Sequence, residues 1–69
     1  MNYFLLKSFM YKHKDNRETL AEHLGIHAQT LYMKMRDQEP RQQFTQEEIR
    51  KITQRYSLTA DEVMQIFFN

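Results

Sequence analysis

The side chains of this sequence that are best suited to recognising another molecule lie on a short segment near its middle. Gln29, Tyr32 and Arg36 are separated by three and four residues, a spacing that places side chains on one face of an α-helix. An amide such as that of Gln29 can pair with adenine through two hydrogen bonds, and an arginine such as Arg36 can reach guanine or a phosphate. Ala28 and Met33 offer apolar contacts that suit the methyl group of thymine. The pattern predicts a surface that reads base edges in the major groove of DNA.

A second interpretation applies to the two large apolar residues of this face. Tyr32 and Met33 could instead fold back over neighbouring helices, since partly exposed apolar side chains are common on ordinary protein surfaces. Helical spacing alone leaves both interpretations open.

Other chemistries have weaker support in the sequence. His23 and His27 are four residues apart, the spacing of two metal ligands on one helix, but Gly25 lies between them and is expected to end the helix. No third ligand is evident, and no pattern of nucleophile and base or glycine-rich phosphate loop stands out. We therefore expect no catalytic activity, no metal and no cofactor.

The recognition segment is positioned by the single glycine of the chain, Gly25. Before it, Leu20 and Leu24 are four residues apart, and after it Leu31 and Met35 repeat that spacing, so each side carries a short amphipathic helix. Glycine tolerates the left-handed backbone that ends a helix and turns the chain sharply. This arrangement predicts a helix–turn–helix with its second helix over about residues 28–36.

Helix start signals define the remaining elements. Asn16 is a predicted N-cap, and the reciprocal capping pattern of Thr followed by Glu three residues later marks the starts of two further helices. No segment alternates polar and apolar residues over a useful length, so the predicted class is all-α with five helices. The predicted starts are residue 2 for a first helix over 2–14, Asn16 for the second, His27 or Ala28 for the third, Thr45 with Glu48 for the fourth, and Thr59 with Glu62 for the fifth.

The first and last helices have apolar faces of their own. In the first, Tyr3 and Phe4 are expected to widen the apolar face. In the last, Met64 and Phe68 form a second stripe beside the core-facing Val63. That stripe predicts either a dimer or partner surface, or a Phe68 side chain that closes the core against the first helix.

Length and composition limit the class of protein. With 69 residues we expect a single domain over 1–69, which is too small to house an extensive enzyme cleft. The chain has no cysteine and no apolar run long enough for a membrane span, so we expect a complete small cytoplasmic protein without a membrane partner. Residues 1–36 contain six Lys and Arg against three Asp and Glu (net +3), and residues 37–69 contain four against six (net −2). This asymmetry suits a basic face offered to phosphates.

Three stretches of the chain resemble a known family. Residues 17–26 (RETLAEHLGI) are similar to the second helix and turn of phage repressor and Cro proteins, with Ala21 at the helix crossing and Gly25 in the turn. Residues 30–35 (TLYMKM) and 44–49 (FTQEEI) resemble a phage subgroup of the same family. The resemblance, over about residues 3–68, implies a five-helix lambda-repressor-like DNA-binding domain with its helix–turn–helix at helices two and three.

The resemblance implies roles for individual residues. The third helix would enter the major groove of operator DNA. The start of the second helix, Lys34 and the loop after the third helix would contact phosphates. Carried over by position, the base contacts are His27, Ala28, Gln29, Tyr32, Met33 and Arg36, and the phosphate contacts are Asn16, Arg17, Lys34, Arg41, Gln42 and Gln43. The family usually has Gln at the position of Arg17 and a Ser or Thr cap at that of His27.

Two functions are expected from this resemblance and from the recognition face. The first is a Cro-like transcriptional repressor of a phage or prophage switch, acting in the cytoplasm of a bacterial host cell, with double-stranded operator DNA as its partner and a homodimer as one form. The second is an antirepressor whose Ala28, Tyr32 and Met33 bind another phage repressor protein, because exposed aromatic and Met side chains are enriched at protein interfaces.

Overall fold

A computed structural model of the protein describes residues 2–36 and 43–68. Within these two ranges the chain forms five α-helices and no β-strand, which confirms the all-α prediction. None of these helices is both long and apolar enough to cross a membrane. The helices are α1 (Tyr3–Lys12), α2 (Arg17–Leu24), α3 (Ala28–Arg36), α4 (Gln46–Tyr56) and α5 (Ala60–Phe67).

The predicted caps are present at three helix starts. At α2, the side chain of Asn16 accepts a hydrogen bond from the N–H of Thr19 at 2.8 Å, and the Thr19 hydroxyl accepts one from the N–H of Asn16 at 2.9 Å. These bonds satisfy amides that have no partner within the helix, and each such cap stabilises a helix by about 1 kcal/mol. The same reciprocal arrangement opens α4 and α5 through Thr45 with Glu48 and Thr59 with Glu62.

Gly25 ends α2 in the predicted way. Its φ of 75° and ψ of 29° are left-handed, and its N–H donates to the carbonyl of Glu22 at 3.1 Å. The N–H of Ile26 donates to the carbonyl of Ala21 at 3.0 Å, which completes a Schellman motif. The chain then enters α3 at Ala28, so the turn between the two helices is only three residues long. This short turn holds the start of α3 close to the end of α2.

Every helix contributes to one core. Five side chains are completely buried, one from each helix, and Ala21, Leu24 and Met35 surround them in the same cluster. Their burial follows the helical spacing of the sequence, because residues three or four apart lie on the same face. The five are Leu6, Leu20, Leu31, Ile52 and Ile66.

The prediction for α1 differs from the structure in two respects. Phe4 does not widen the apolar face, since its side chain is 79% exposed. It stands two residues from the buried Leu6, about 200° around the helix, and therefore points away from the core. Tyr3 does pack partly against the core. The helix is also shorter than 2–14, because the side chain of Asn2 caps its start and His13 follows its last residue.

Phe68, the residue that follows α5, was predicted either to form a partner surface or to close the core against α1. That side chain does not close the core, because it is 61% exposed. The core contacts at this end come from Ile66 and from Phe67, whose ring meets that of Phe44 edge to face with centroids 5.5 Å apart. Met64 is also exposed, at 57%.

A polar cluster fastens the turn between α1 and α2 to the end of α4. The carboxylate of Asp15 accepts hydrogen bonds from the Arg55 guanidinium and from the Tyr56 hydroxyl, the latter at 2.6 Å. The Arg55 hydrogen bonds hold the pKa of Asp15 well below its usual range. Burial, together with the bond to Asp15, raises the pKa of Tyr56. The cluster thereby holds the residue before Asn16, and with it the first turn of α2, against α4.

Candidate nucleic-acid interface

The two faces of α3 divide only in part as the sequence predicts. Leu31 and Met35 are buried, whereas Gln29 and Arg36 are exposed. Tyr32 and Met33 lie between these extremes and are partly buried. The polar side chains at both ends of α3 are therefore available to a partner, and the middle of the face is more apolar.

Tyr32 is covered by arginines from two helices. The Cζ atom of Arg17, in the first turn of α2, lies 4.4 Å from the centre of the Tyr32 ring, and that of Arg36 lies 5.7 Å from it. A guanidinium over a ring is held by cation–π attraction, and its N–H groups stay available to oxygen acceptors. The contact with Arg17 partly supports the interpretation that Tyr32 folds over a neighbouring helix. Together, the Arg17 and Arg36 contacts hold two cations beside the exposed face of α3.

The same contacts continue onto α1. Arg36 lies over the ring of Tyr3 as well, at 5.5 Å, and the ammonium of Lys7 lies 5.7 Å from that ring. We call Lys7, Tyr3, Arg36, Tyr32 and Arg17 the cation–aromatic row. The spacing of Tyr3 and Lys7 at four residues was a local signal for one of these contacts, but nothing local relates Tyr3 to Arg36.

A groove runs between α1, the first turn of α2 and α3. Its volume is about 320 Å³, and it is lined by both aromatic and charged side chains. Tyr11 stands at this groove and is 86% exposed. The groove lies directly beside the exposed face of α3, because Tyr32 belongs to both and Arg17, which also lines the groove, lies over the Tyr32 ring. The lining residues used below are Tyr3, Lys7, Tyr11, Asp15, Arg17, Glu18 and Tyr32.

Lys34 must be removed from the predicted phosphate contacts. Its ammonium lies 2.7 and 2.9 Å from the two carboxylate oxygens of Glu48, and its side chain is only 11% exposed. Burial alone would raise the pKa of Glu48, but the bonds from Lys34 and Thr45 outweigh burial and the pKa is lowered. The pair joins α3 to the start of α4, so Lys34 has a structural position rather than an interfacial one.

The other predicted contact residues fall into different environments. Asn16 is exposed, and its Oδ1 caps α2. His27 is exposed in the turn, and Ala28 is partly buried against the core. Gln43 is exposed next to Phe44. Arg41 and Gln42 lie outside the described residues.

The structure does not join the histidines into a site. His23 lies in the last turn of α2 and His27 follows Gly25, both exposed. In residues 2–36 and 43–68, no group of three or more His, Asp or Glu is arranged to hold a metal ion.

Comparison with known proteins adds no relative. No protein-family model, no curated protein and no solved structure matches this chain. Its function therefore has to be inferred from its own residues.

Proposed function

We propose that this chain is a sequence-specific DNA-binding transcriptional regulator of the lambda-repressor-like helix–turn–helix type. In this proposal α3 lies in the major groove of double-stranded operator DNA, and the protein represses transcription in a phage or prophage switch, as Cro proteins do. The observation that carries it is the pairing of a short α2–Gly25–α3 turn with an exposed polar face on α3 and an arginine beside it on α2.

The dimensions of α3 suit this role. An α-helix with its side chains is roughly 10–12 Å across, which fits a major groove roughly 12 Å wide. The nine residues of α3 give a length of about 13 Å along the groove. Gln29 stands in the first turn of α3, which in helix–turn–helix proteins is the part nearest the base edges. Its exposed amide is therefore the proposed adenine contact, with His27, Ala28 and Met33 around it.

The arginines are assigned to the DNA backbone. Arg17 and Arg36 are both held over Tyr32, beside the α3 face, where a strand that flanks the groove would pass. Asn16, at the N-terminal end of α2, adds an amide donor near the positive end of the helix dipole. Tyr32 acts in this proposal by orienting the two guanidinium groups rather than by reading a base.

Binding to duplexes taken from the DNA flanking its own gene tests the proposal. We expect affinity that falls steeply as salt is raised, because each phosphate contact releases counterions. Gln29→Ala should relax the preference at one base pair, at a cost of about 1–3 kcal/mol. Gln54→Ala, an exposed amide removed from α4, is the matched control and should bind like the wild type. Binding that is absent, or that does not respond to salt, contradicts the proposal.

An antirepressor is the second candidate, favoured by one observation. The middle of the α3 face, Tyr32 and Met33, is apolar, and the exposed ring of Tyr11 stands nearby. Such a surface fits a protein partner, and in this candidate function that partner is a phage repressor protein, to be tested in purified form. Co-precipitation lost on Tyr32→Ala, without any DNA binding by the wild type, supports this candidate. Full co-precipitation by the variant counts against it.

A two-fold dimer would complete the first proposal. Proteins of this type read paired half-sites about one helical turn apart, which requires two copies. The exposed Met64 and Phe68 at the end of the chain are the proposed contact between copies.

A further inference from the structure

The cation–aromatic row is unusual because three helices contribute to it. Lys7 and Tyr3 come from α1, Arg17 from α2, and Tyr32 and Arg36 from α3. Each neighbouring pair lies between 4.4 and 5.7 Å apart, measured from cation to ring centre. The row therefore connects the exposed face of α3 to a helix that neither the sequence nor the proposed function had included.

The cations of this row have no carboxylate partner among the described residues. The ion pairs found there join Lys34 to Glu48, Arg50 to Glu47, and Arg55 to Asp15. Three positive charges held beside one groove repel one another, and an anion placed among them removes that repulsion. Stacking on the rings keeps the charged groups oriented before any ligand arrives, which lowers the entropy cost of binding.

Two acidic residues also line the groove, and they differ in how far their negative charge is exposed to a ligand. Asp15 lines it, but its charge is compensated by Arg55 and its side chain is only 4% exposed. Glu18 is exposed at the edge. Tyr11 also lines the groove and is largely exposed, and its hydroxyl adds a donor. The accessible lining therefore carries the cations Lys7 and Arg17 and the tyrosine rings against one exposed carboxylate, that of Glu18. Its N–H and O–H donors suit phosphate oxygens.

We propose that this groove binds the phosphodiester backbone of double-stranded DNA, with Lys7 as a phosphate contact and Tyr3 as the residue that positions Lys7 and Arg36. The inference rests on the proposed DNA-binding function. It extends the interface from α2 and α3 onto α1. A DNA strand is favoured over an acidic peptide because the groove is continuous with the face of α3 through Arg17 and Tyr32.

The salt dependence of DNA binding tests the role of Lys7. Lys7→Ala should lower the slope of log affinity against log salt by about one, equally for all sequences. The affinity lost between 50 and 200 mM salt should then be about threefold smaller than for the wild type. Lys12→Ala is the matched control, since Lys12 is exposed on the same helix and its ammonium also lies over a ring, that of Phe9 at 5.1 Å. Lys7→Arg should restore the wild-type slope.

The outcomes separate this inference from the function on which it depends. If the wild type binds duplex DNA and Lys7→Ala has the same slope as Lys12→Ala, the α1 contact is wrong and the proposed function stands. If the wild type binds no duplex, the proposed function fails and this inference fails with it. Competition by polyglutamate as strong, per charge, as competition by duplex DNA assigns the groove to an acidic chain and also overturns the inference.

Tyr3 is tested as a positioning residue by two variants. Tyr3→Phe keeps the ring and should bind DNA like the wild type. Tyr3→Leu removes the ring, and its affinity should fall severalfold even where circular dichroism shows an unchanged melting temperature. In the Lys7→Ala background, Tyr3→Leu should cost less than it does alone, because one of the two cations it positions is already absent. Equal binding by the Phe and Leu variants overturns the positioning role.

Discussion

The carboxylate of Asp15 accepts two hydrogen bonds from the guanidinium of Arg55, at 2.7 and 2.8 Å, across forty residues of sequence. The two oxygens of one carboxylate meet two nitrogens of one guanidinium, the geometry in which such pairs are strongest. The Thr19 hydroxyl also donates to Asp15 at 2.8 Å. One side chain thus ties the α1–α2 turn, the first turn of α2 and the end of α4 together.

Asp15→Asn should destabilise the protein by about 1–3 kcal/mol. The amide cannot accept from Arg55 through both of its heavy atoms, so a donor of Arg55 or of Tyr56 loses its acceptor in a partly buried place. Urea unfolding followed by circular dichroism measures the change. Glu47→Gln breaks an exposed ion pair with Arg50 within α4 and should have a much smaller effect. Equal losses of unfolding free energy in the two variants would show that the Asp15 cluster stabilises the protein no more than an exposed ion pair does.

Stability should fall as the solution is acidified below about pH 5. The pKa values of Asp15 and Glu48 are lower in the folded protein than in the unfolded chain, so the unfolded state binds more protons as pH falls through its ordinary carboxyl range. The stabilisation from these groups is complete above that range and is lost below it. Melting temperatures between pH 7 and pH 3 measure the loss. In Asp15→Asn the decline should be shallower, and an identical decline contradicts the assignment.

Gly25→Ala should cost about 1–2 kcal/mol because of backbone conformation alone. The φ of 75° is unfavourable for a residue with a Cβ, whereas a Cβ added at this position meets no atom within 4 Å. Gly25→Asn should cost less, since asparagine tolerates the left-handed region better than alanine. Chemical denaturation of the two variants gives the comparison. A larger loss for Asn than for Ala would indicate a steric cause instead.

Lys34→Ala should reduce stability without changing the salt dependence of DNA binding. Removing the ammonium leaves the carboxylate of Glu48 buried without its cation, at a cost of roughly 3 kcal/mol. Adding Glu48→Gln to this variant should recover part of the loss, because the uncompensated charge is then gone. Binding isotherms at several salt concentrations provide the second measurement. A reduced slope for Lys34→Ala would restore Lys34 to the phosphate contacts.

Met64→Gln combined with Phe68→Ser should leave the fold intact and weaken self-association. Both side chains are more than half exposed, so replacing them removes little buried apolar area from the monomer. Sedimentation equilibrium over a range of protein concentrations measures association, and the melting curve of the dilute protein checks the fold. Phe4→Ser, which removes another exposed ring from α1, is the control. A wild type that stays monomeric at high concentration rules out the dimer surface.

Some features of this protein depend only on interactions between residues that are at most four positions apart in the sequence. The cap at Asn16, the two capping boxes and the left-handed Gly25 were predictable because their hydrogen bonds join neighbours in sequence. Burial of Leu31 and Met35 followed from helical periodicity for the same reason. Those signals also placed Gln29 on an exposed face, so the main candidate surface could be located from the sequence.

Only the tertiary structure could relate residues from different helices. Lys34 was a reasonable phosphate contact until its ammonium was found against Glu48, fourteen residues later. Arg36 meets Tyr3, and Asp15 meets Arg55, because of how the helices cross, and a crossing depends on the packing of the whole core. Periodicity and capping determine where each helix lies along the chain and which of its faces is apolar. Which cations lie beside the groove, and which helices border it, is decided when those apolar faces pack together.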